Sequence, residues 1–215
     1  MIYSADDDPS RPSPALFETA LAAINEARGI SLSEISERLR EPPLYPDIWP
    51  GEHYRLLAAF IRVLQPKLVV EIGTATGLSA LTMKRFLGSD AKLLTFDIVP
   101  WDQFPQTCLR AEDFEDGRLV QYIADLSKPW NMKLFESMIR PAGLIFIDAA
   151  KDGTGEQDFI DLLRPVQFES VPFVLFDDIR LWNMLAIWRR ITAPKLDLTS
   201  FGHWSGTGIV EWRWT

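Results

Sequence analysis

The sequence predicts a doubly wound α/β protein with a mostly parallel, seven-stranded sheet, an antiparallel C-terminal strand and N-terminal helices. Two observations support this prediction. From Lys67 onward, short apolar stretches alternate with stretches of helical spacing, and apolar strands separated by helices are typical of a parallel sheet covered on both faces. Near the C-terminus, two strand-like stretches flank the turn G-H-W-S-G-T, which indicates adjoining strands.

The N-terminal part precedes this sheet. We expect residues 1–14 to form a flexible tail and residues 15–215 a single domain, of which residues 15–66 are the helical part. Helical spacing predicts helices over residues 15–28, 31–39 and 51–64. The proline-rich residues 41–50 predict an extended connector.

Residues 67–215 form the predicted α/β core. Parallel strands are predicted at residues 68–72, 93–96, 119–123, 144–147 and 173–176. Helices are predicted at residues 78–87, 132–139, 156–163 and 181–191. The last two strands are predicted at residues 195–201 and 208–214.

The composition excludes several classes of protein and of partner. The chain has 215 residues, which suits one sizeable core, and its net charge of −8 argues against a nucleic-acid partner. The single cysteine, Cys108, excludes an internal disulfide. No apolar run approaches the ~20 residues of a membrane span, and the acidic N-terminus lacks the apolar centre of a signal peptide. We expect a cytoplasmic protein without membrane contact. Its oligomeric state, a homo-oligomer included, stays open.

A glycine turn follows the first strand in V-V-E-I-G-T-A-T-G-L-S. Gly73 permits a tight turn and close backbone approach to a ligand. Gly77 opens the next helix, whose free N–H groups favour a polar or anionic guest. The spacing G-x-x-x-G differs from the G-x-G-x-x-G of nicotinamide-binding proteins. A β–α turn without a ligand is the alternative interpretation.

Aspartates follow four of the predicted strands. They are Asp97, Asp125, Asp148 and the pair Asp177 and Asp178. Doubly wound proteins bind ligands at the carboxyl ends of their strands, so these acids predict a polar site there. Asp97 is placed to accept hydrogen bonds from both hydroxyls of a ribose, and Asp125 to approach an adenine. The alternative for each acid is a helix cap.

Asp148, Asp177 and Asp178 end neighbouring strands and predict a metal site. Two carboxylates about 4 Å apart repel by roughly 4 kcal/mol at an effective dielectric of 20, and a divalent cation removes that cost. An all-oxygen set favours Mg²⁺, with Ca²⁺ or Mn²⁺ as alternatives, and we expect no histidine near enough for zinc. Lys151 is a candidate general base or a surface lysine. A capping Asp178 and a solvated Asp148 are the other interpretation of the acids.

Together these residues resemble the class I S-adenosylmethionine-dependent methyltransferases, in particular the metal-dependent O-methyltransferases such as the catechol and caffeoyl-coenzyme A enzymes. The resemblance runs from about Gly51 to the C-terminus and implies a Rossmann-like methyltransferase fold. The cofactor-binding residues that it implies are Glu71, Gly73, Thr74, Gly77, Ser79, Asp97, Asp125 and Asp148. It implies a divalent metal on Asp148, Asp177 and Asp178, with Lys151 and Asp148 as catalytic residues.

The predicted function is methylation of a small hydroxylated molecule, whether catechol-like, phenolic or a sugar. Asp178 stands where most members have asparagine, as in metal-dependent sugar O-methyltransferases. Those enzymes often carry an acid where this chain has Ala150, so the substrate subgroup stays open. The alternatives are a metal-independent N- or C-methyltransferase, a nicotinamide-dependent oxidoreductase and a non-catalytic binding protein.

Two stretches are predicted to form the substrate mouth. One is Glu52-His53-Tyr54 and the other is the loop Gly202-His203-Trp204-Ser205 between the last two strands. We expect His53, His203 and Trp204 to contact the substrate by stacking and hydrogen bonding. The alternatives are that Trp204 packs in the core and that His203 only caps the turn.

Overall fold

The computed structural model describes residues 11–39, 45–149 and 154–214. Within these residues, seven strands form one sheet. The strands are β1 Leu68–Ile72, β2 Lys92–Asp97, β3 Leu119–Ile123, β4 Leu144–Ile147, β5 Phe173–Asp177, β6 Lys195–Asp197 and β7 Thr207–Glu211. The helices are α1 Pro14–Ala27, α2 Ser33–Ser36, α3 Tyr54–Leu64, α4 Leu78–Phe86, α5 Pro129–Ile139, α6 Gly155–Leu163 and α7 Met184–Arg190.

The sheet confirms the predicted fold class. Its strand order is β3-β2-β1-β4-β5-β7-β6. The five strands from β3 to β5 are parallel, and β7 pairs antiparallel with both β5 and β6. Because β7 runs against its neighbours, it begins at the edge where the parallel strands end. The loop before it therefore lies at that edge, as the sequence predicts.

Both faces of the sheet are buried, which explains the continuous apolar strands. In β4, Leu144 and Phe146 face one hydrophobic cluster, whereas Ile145 and Ile147 face the other. The first cluster includes side chains of α1, α3 and α4, and the second includes side chains of α5, α6 and α7. A strand with helices on both faces needs apolar residues at every position. No helix among the described residues is long and apolar enough to span a membrane.

Several element ends differ from the prediction. Helix α1 begins at Pro14, after the N-cap residue Ser13, whose hydroxyl accepts the Leu16 N–H at 3.0 Å. Ser13 and Pro14 are therefore part of the first helix and its cap, whereas the sequence prediction places them in a flexible tail. Strand β6 ends at Asp197 instead of residue 201, because the Asp197 carboxylate accepts the Thr199 N–H at 2.9 Å and turns the chain. Residues 1–10 and residues 40–44, which include the first four residues of the predicted connector, lie outside the described residues.

Gly73 fixes the distance between the ends of β1 and β4. Its φ is +103°, and a Cβ atom there would lie 1.9 Å from the backbone oxygen of Asp148. Gly117 also has a positive φ, of +67°, but a Cβ atom there would meet nothing within 4 Å. Of these two glycines, Gly73 alone combines a positive φ with a close backbone contact.

We expect Gly73→Ala to lower the free energy of unfolding more than Gly117→Ala. Both variants strain a left-handed backbone, at about 1–2 kcal/mol. Gly73→Ala adds steric overlap with the backbone of Asp148, at roughly 1–3 kcal/mol or more. Urea unfolding of both variants measures the difference, and equal losses would show that the two strand ends are free to move apart.

Candidate functional site

A cavity of about 570 Å³ opens at the carboxyl ends of the parallel strands. Four of the predicted cofactor-binding residues line it: Gly73, Asp97, Asp125 and Asp148. Apolar residues complete the lining together with Ser127, Lys128, Thr154 and Asp158. The structure thus brings together residues from the ends of β1, β2, β3 and β4, in the crevice where doubly wound sheets bind ligands.

Asp97 is largely occupied by backbone donors. One carboxylate oxygen accepts the N–H groups of Thr74 at 2.8 Å and Ala75 at 2.9 Å, and the other accepts the Val99 N–H at 3.1 Å. A carboxylate offers about four acceptor positions. In this arrangement Asp97 therefore has room for one further donor, whereas the sequence predicts contacts to both hydroxyls of a ribose.

Thr74 and Gly77 do not line the cavity. The Thr74 hydroxyl lies 2.7 Å from that of Thr95 and accepts a hydrogen bond from the Gln121 amide at 3.1 Å, beneath the loop. Gly77 has a φ of +79°, and a Cβ atom there would overlap the Leu109 side chain at 2.2 Å. Both residues pack against the protein, and the loop residues that line the cavity are Gly73 and Ala75.

Glu71 and Ser79 form a buried pair behind the same loop. The Ser79 hydroxyl donates to Glu71 Oε1 at 2.5 Å, and Glu71 Oε2 is buried without a hydrogen-bond partner among the described residues. Burial raises the pKa of Glu71 to about 8, although hydrogen bonds from Ser79 and Thr95 lower it in part. Neither Glu71 nor Ser79 lines the cavity, and their predicted role in cofactor binding stays a prediction.

Asp125 closes a turn and also lines the cavity. Its carboxylate accepts the Ser127 N–H at 2.9 Å and the Ser127 hydroxyl at 2.6 Å. The next helix, α5, begins later and has no side-chain cap at Lys128. The helix-cap interpretation is therefore wrong for Asp125, and its role toward an adenine stays a prediction.

Asp148 connects the cavity to the predicted metal site. It lines the cavity, and its carboxylate lies with those of Asp177 and Asp178 in a cluster whose ligand atoms are within 4.8 Å of one another. Asp178 has a φ of +59°, an uncommon conformation for a side-chain-bearing residue, and it does not cap α7, which begins at Met184. The three acids therefore meet as the sequence predicts.

Two histidines contact the same acids, contrary to the expectation from the sequence. His53 Nδ1 lies 3.3 Å from Asp177 Oδ1, and His203 Nδ1 lies 3.5 Å from that oxygen and 3.2 Å from Asp178 Oδ1. The expectation that no histidine lies near the acids is therefore wrong. The loops that carry these histidines pair through their backbones, with the Gly51 N–H donating to the Gly202 carbonyl at 3.2 Å.

Composition is the feature of the sequence that points to these contacts. The chain has two histidines in all, and both lie in the stretches predicted to form the rim of the crevice.

The histidines and acids compensate each other's charge. Burial raises the pKa of Asp177, but the two imidazoles outweigh it and hold that pKa well below its usual range. For His203, burial lowers the pKa, but Asp177 and Asp178 raise it to about 10. The pKa of His53 is also raised, because Asp177 outweighs burial. Without a ligand, the cluster is a network of negative and positive charges.

The predicted substrate residues separate into a buried one and two accessible ones. His53 is only 3% exposed and packs against Phe146, with ring centres 5.4 Å apart, so it does not form part of an open mouth. Trp204 is 72% exposed, which excludes the core-packing interpretation, and its ring centre lies 5.3 Å from that of His203. The predicted base, Lys151, lies outside the described residues.

Comparison with known proteins identifies the family. A protein-family model described as O-methyltransferase matches residues 31–164, which is more than half of the chain. No curated protein matches the chain in sequence.

Solved structures share the fold at low sequence identity. The S-adenosylhomocysteine-bound methyltransferase PaMTH1 of Podospora anserina is 16% identical, with a TM-score of 0.59 over 95% of this chain and 91% of that one. The O-methyltransferase TomG of Streptomyces achromogenes, in complex with S-adenosylmethionine, is 16% identical, with a TM-score of 0.55 over 94% and 92%. A putative caffeoyl-CoA O-methyltransferase of Staphylococcus aureus is 17% identical, with a TM-score of 0.53 over 90% and 98%.

The raised pKa of Glu71 predicts a pH dependence of stability. Below pH 4.5 its carboxyl group is protonated in both the folded and the unfolded state. Between pH 4.5 and about 8 the unfolded state loses this proton while the folded state keeps it, so the free energy of unfolding falls as pH rises. Each pKa unit corresponds to about 1.4 kcal/mol, and we expect a loss of a few kcal/mol.

Glu71→Gln keeps an acceptor for Ser79 and removes the titration. Urea unfolding without cofactor should show the variant close to the parent at pH 4.5 and more stable than the parent at pH 8. Glu34→Gln, at a position whose side chain is 72% exposed, controls for the loss of a carboxylate. A parent and Glu71→Gln variant with parallel pH profiles would contradict the prediction.

Proposed function

This chain belongs to the O-methyltransferase family, and we propose that it uses a divalent cation to methylate a hydroxyl group of a small molecule. The chain is an S-adenosylmethionine-dependent methyltransferase; the proposal concerns the cation and the acceptor. One observation carries it: Asp148 lines the cavity and also belongs to the acidic cluster with Asp177 and Asp178. A donor in the cavity would therefore lie next to a cation in the cluster.

The cavity suits the methyl donor. Its volume of about 570 Å³ lies within the roughly 300–1,000 Å³ that is usual for small-molecule sites. Gly73 lets the backbone approach a ligand closely, and Asp97 has an acceptor position left. These groups would hold the hydroxyl and amino groups of the donor.

The acidic cluster suits a divalent cation. Three carboxylates whose ligand atoms lie within 4.8 Å of one another repel each other, and a cation among them removes that repulsion. When bound, S-adenosylmethionine supplies an electrophilic methyl group, and the cation supplies a positive charge that lowers the pKa of a nearby hydroxyl group. Lys151, of the D-x-x-K motif, would accept the proton that the acceptor loses.

The rim of the cluster suits an acceptor with a ring. Trp204 is exposed and His203 is half-buried beside it. An exposed indole offers a flat apolar face to an aromatic or sugar ring, and the histidine a polar group at its edge. These two residues would orient a catechol-like, phenolic or sugar hydroxyl group toward the cluster.

A second candidate is metal-independent methylation of a nitrogen or carbon atom. One observation favours it: His53 and His203 already offset the charge of Asp177 and Asp178. In that case the histidines would replace the cation, and the acids would bind a positively charged or hydrogen-bonding acceptor.

Transfer of a labelled methyl group to a panel of catechols, phenols, sugars and amines tests the proposal. We expect turnover with hydroxylated acceptors, its loss in excess chelator and its recovery on addition of a divalent cation. Asp177→Asn should lose the metal-dependent turnover. Asp90→Asn, at an exposed position paired with Lys67, should keep it. Full turnover in excess chelator would instead favour the metal-independent candidate.

Trp204→Ala should raise the Michaelis constant for the acceptor and spare the affinity for S-adenosylmethionine. An aromatic contact is worth about 0.5–1.5 kcal/mol, so we expect a rise of roughly 2- to 10-fold. Trp130→Ala is the control, because Trp130 is 68% exposed and lies on α5. Equal Michaelis constants for the two variants would show that Trp204 does not contact the acceptor.

A further inference from the structure

We infer that His53 and His203 bind the cation together with Asp177, so that the site selects a first-row transition dication such as Zn²⁺, Co²⁺ or Fe²⁺ over Mg²⁺. This inference deepens the metal-dependent function proposed above and rests on it. It changes the oxygen-only site expected from the sequence into a mixed nitrogen and oxygen site.

The geometry centres on Asp177 Oδ1. This oxygen lies 3.3 Å from His53 Nδ1 and 3.5 Å from His203 Nδ1, and one ligand atom from each of the three residues lies within 4.8 Å of the others. Ligands at 2.0–2.1 Å from a tetrahedral zinc ion are about 3.3 Å apart. The two nitrogen–oxygen distances at Asp177 are therefore close to the distance between two ligands of such a zinc ion.

The ring nitrogens of His53 are buried and lack hydrogen bonds in the described part of the chain. His53 is 3% exposed, and neither of its ring nitrogens has a hydrogen-bond partner among the described residues. Asp177 Oδ1, 3.3 Å from His53 Nδ1 and 3.5 Å from His203 Nδ1, is also buried without a hydrogen-bond partner among the described residues. Buried polar atoms are nearly always paired. A cation between Nδ1 and Oδ1 would satisfy both atoms at once.

His203 has the surroundings of a metal-binding histidine. Its Nε2 lies 3.6 Å from the carboxylate of the buried Glu52, and metal-binding histidines usually direct their second nitrogen at a carboxylate. Its Nδ1 lies 2.6 Å from the Ser205 hydroxyl, which also contacts Asp178. Ser205 can keep its bond to Asp178 while His203 Nδ1 binds the cation.

The ligand chemistry decides the class of metal. Imidazole nitrogen suits zinc, iron, nickel and copper, whereas oxygen-only sites suit magnesium and calcium. Three protein ligands leave a position open on the cation. Asp148 and Asp178 lie around Asp177 as well, so the cation would sit between the two histidines and the donor cavity.

Co²⁺ binding to the full-length protein tests the inference without relying on turnover. We expect ligand-field absorption bands on addition of Co²⁺, displaced by stoichiometric Zn²⁺ and not by excess Mg²⁺. Loss of an outer carboxylate usually weakens metal binding by about 10- to 100-fold. We expect the Co²⁺ affinity to fall by this factor in Glu52→Gln, to fall further in His203→Gln and to stay unchanged in Asp90→Asn. The Mg²⁺ affinity of His203→Gln should stay equal to that of the parent or increase.

Three outcomes would overturn the inference. Equal Co²⁺ affinity in His203→Gln and Asp90→Asn would leave a carboxylate-only site, with metal-dependent methyl transfer intact. Displacement of Co²⁺ by Mg²⁺ at similar concentration would show that the site does not prefer transition dications to Mg²⁺. A parent that binds neither Co²⁺ nor Mg²⁺ would end both the inference and the metal-dependent function. Near-UV circular dichroism checks that each variant is folded. If His53→Gln, at the buried position, does not fold, the comparison of His203→Gln with the parent tests the inference.

Discussion

The burial of the Asp177 carboxylate is the constraint around which the rest of the site is arranged. Asp177 ends β5 and is 4% exposed, so its charge needs partners that the strand cannot supply. His53 comes from the segment before the sheet and His203 from the loop before β7, and both contact Asp177. One buried acid therefore ties the helical part, the parallel strands and the C-terminal hairpin to the same point.

Asp148 extends this arrangement toward the methyl donor. The close approach of Gly73 to the Asp148 backbone brings the glycine loop beside the end of β4. Asp148 lines the cavity, and its carboxylate lies with the other two acids. Donor cavity and charged cluster are consequently neighbours. Methyl transfer needs such proximity, because positioning supplies much of the rate gain in group transfer.

The fold and the acids could be predicted because their signals are local. Apolar strands buried on both faces are visible in the sequence, and parallel topology brings strand-end residues such as Asp148 and Asp177 to one edge. The histidine contacts could not, since His53 and His203 approach Asp177 only through the pairing of two distant loops. The sequence also does not show in which direction a side chain points. Thr74 belongs to the glycine motif, yet its hydroxyl points inward to Thr95.

The central claim is that the donor cavity and the metal cluster share Asp148. The most direct test is nuclear magnetic resonance of S-adenosylmethionine carrying a ¹³C-labelled methyl group, bound to the protein loaded with paramagnetic Mn²⁺, with diamagnetic Zn²⁺ as the control. If the cavity and the cluster share Asp148, Mn²⁺ should strongly enhance relaxation of the methyl signal and Zn²⁺ should not. An unchanged methyl signal, with both Mn²⁺ and the donor bound, would show that the two sites are separate.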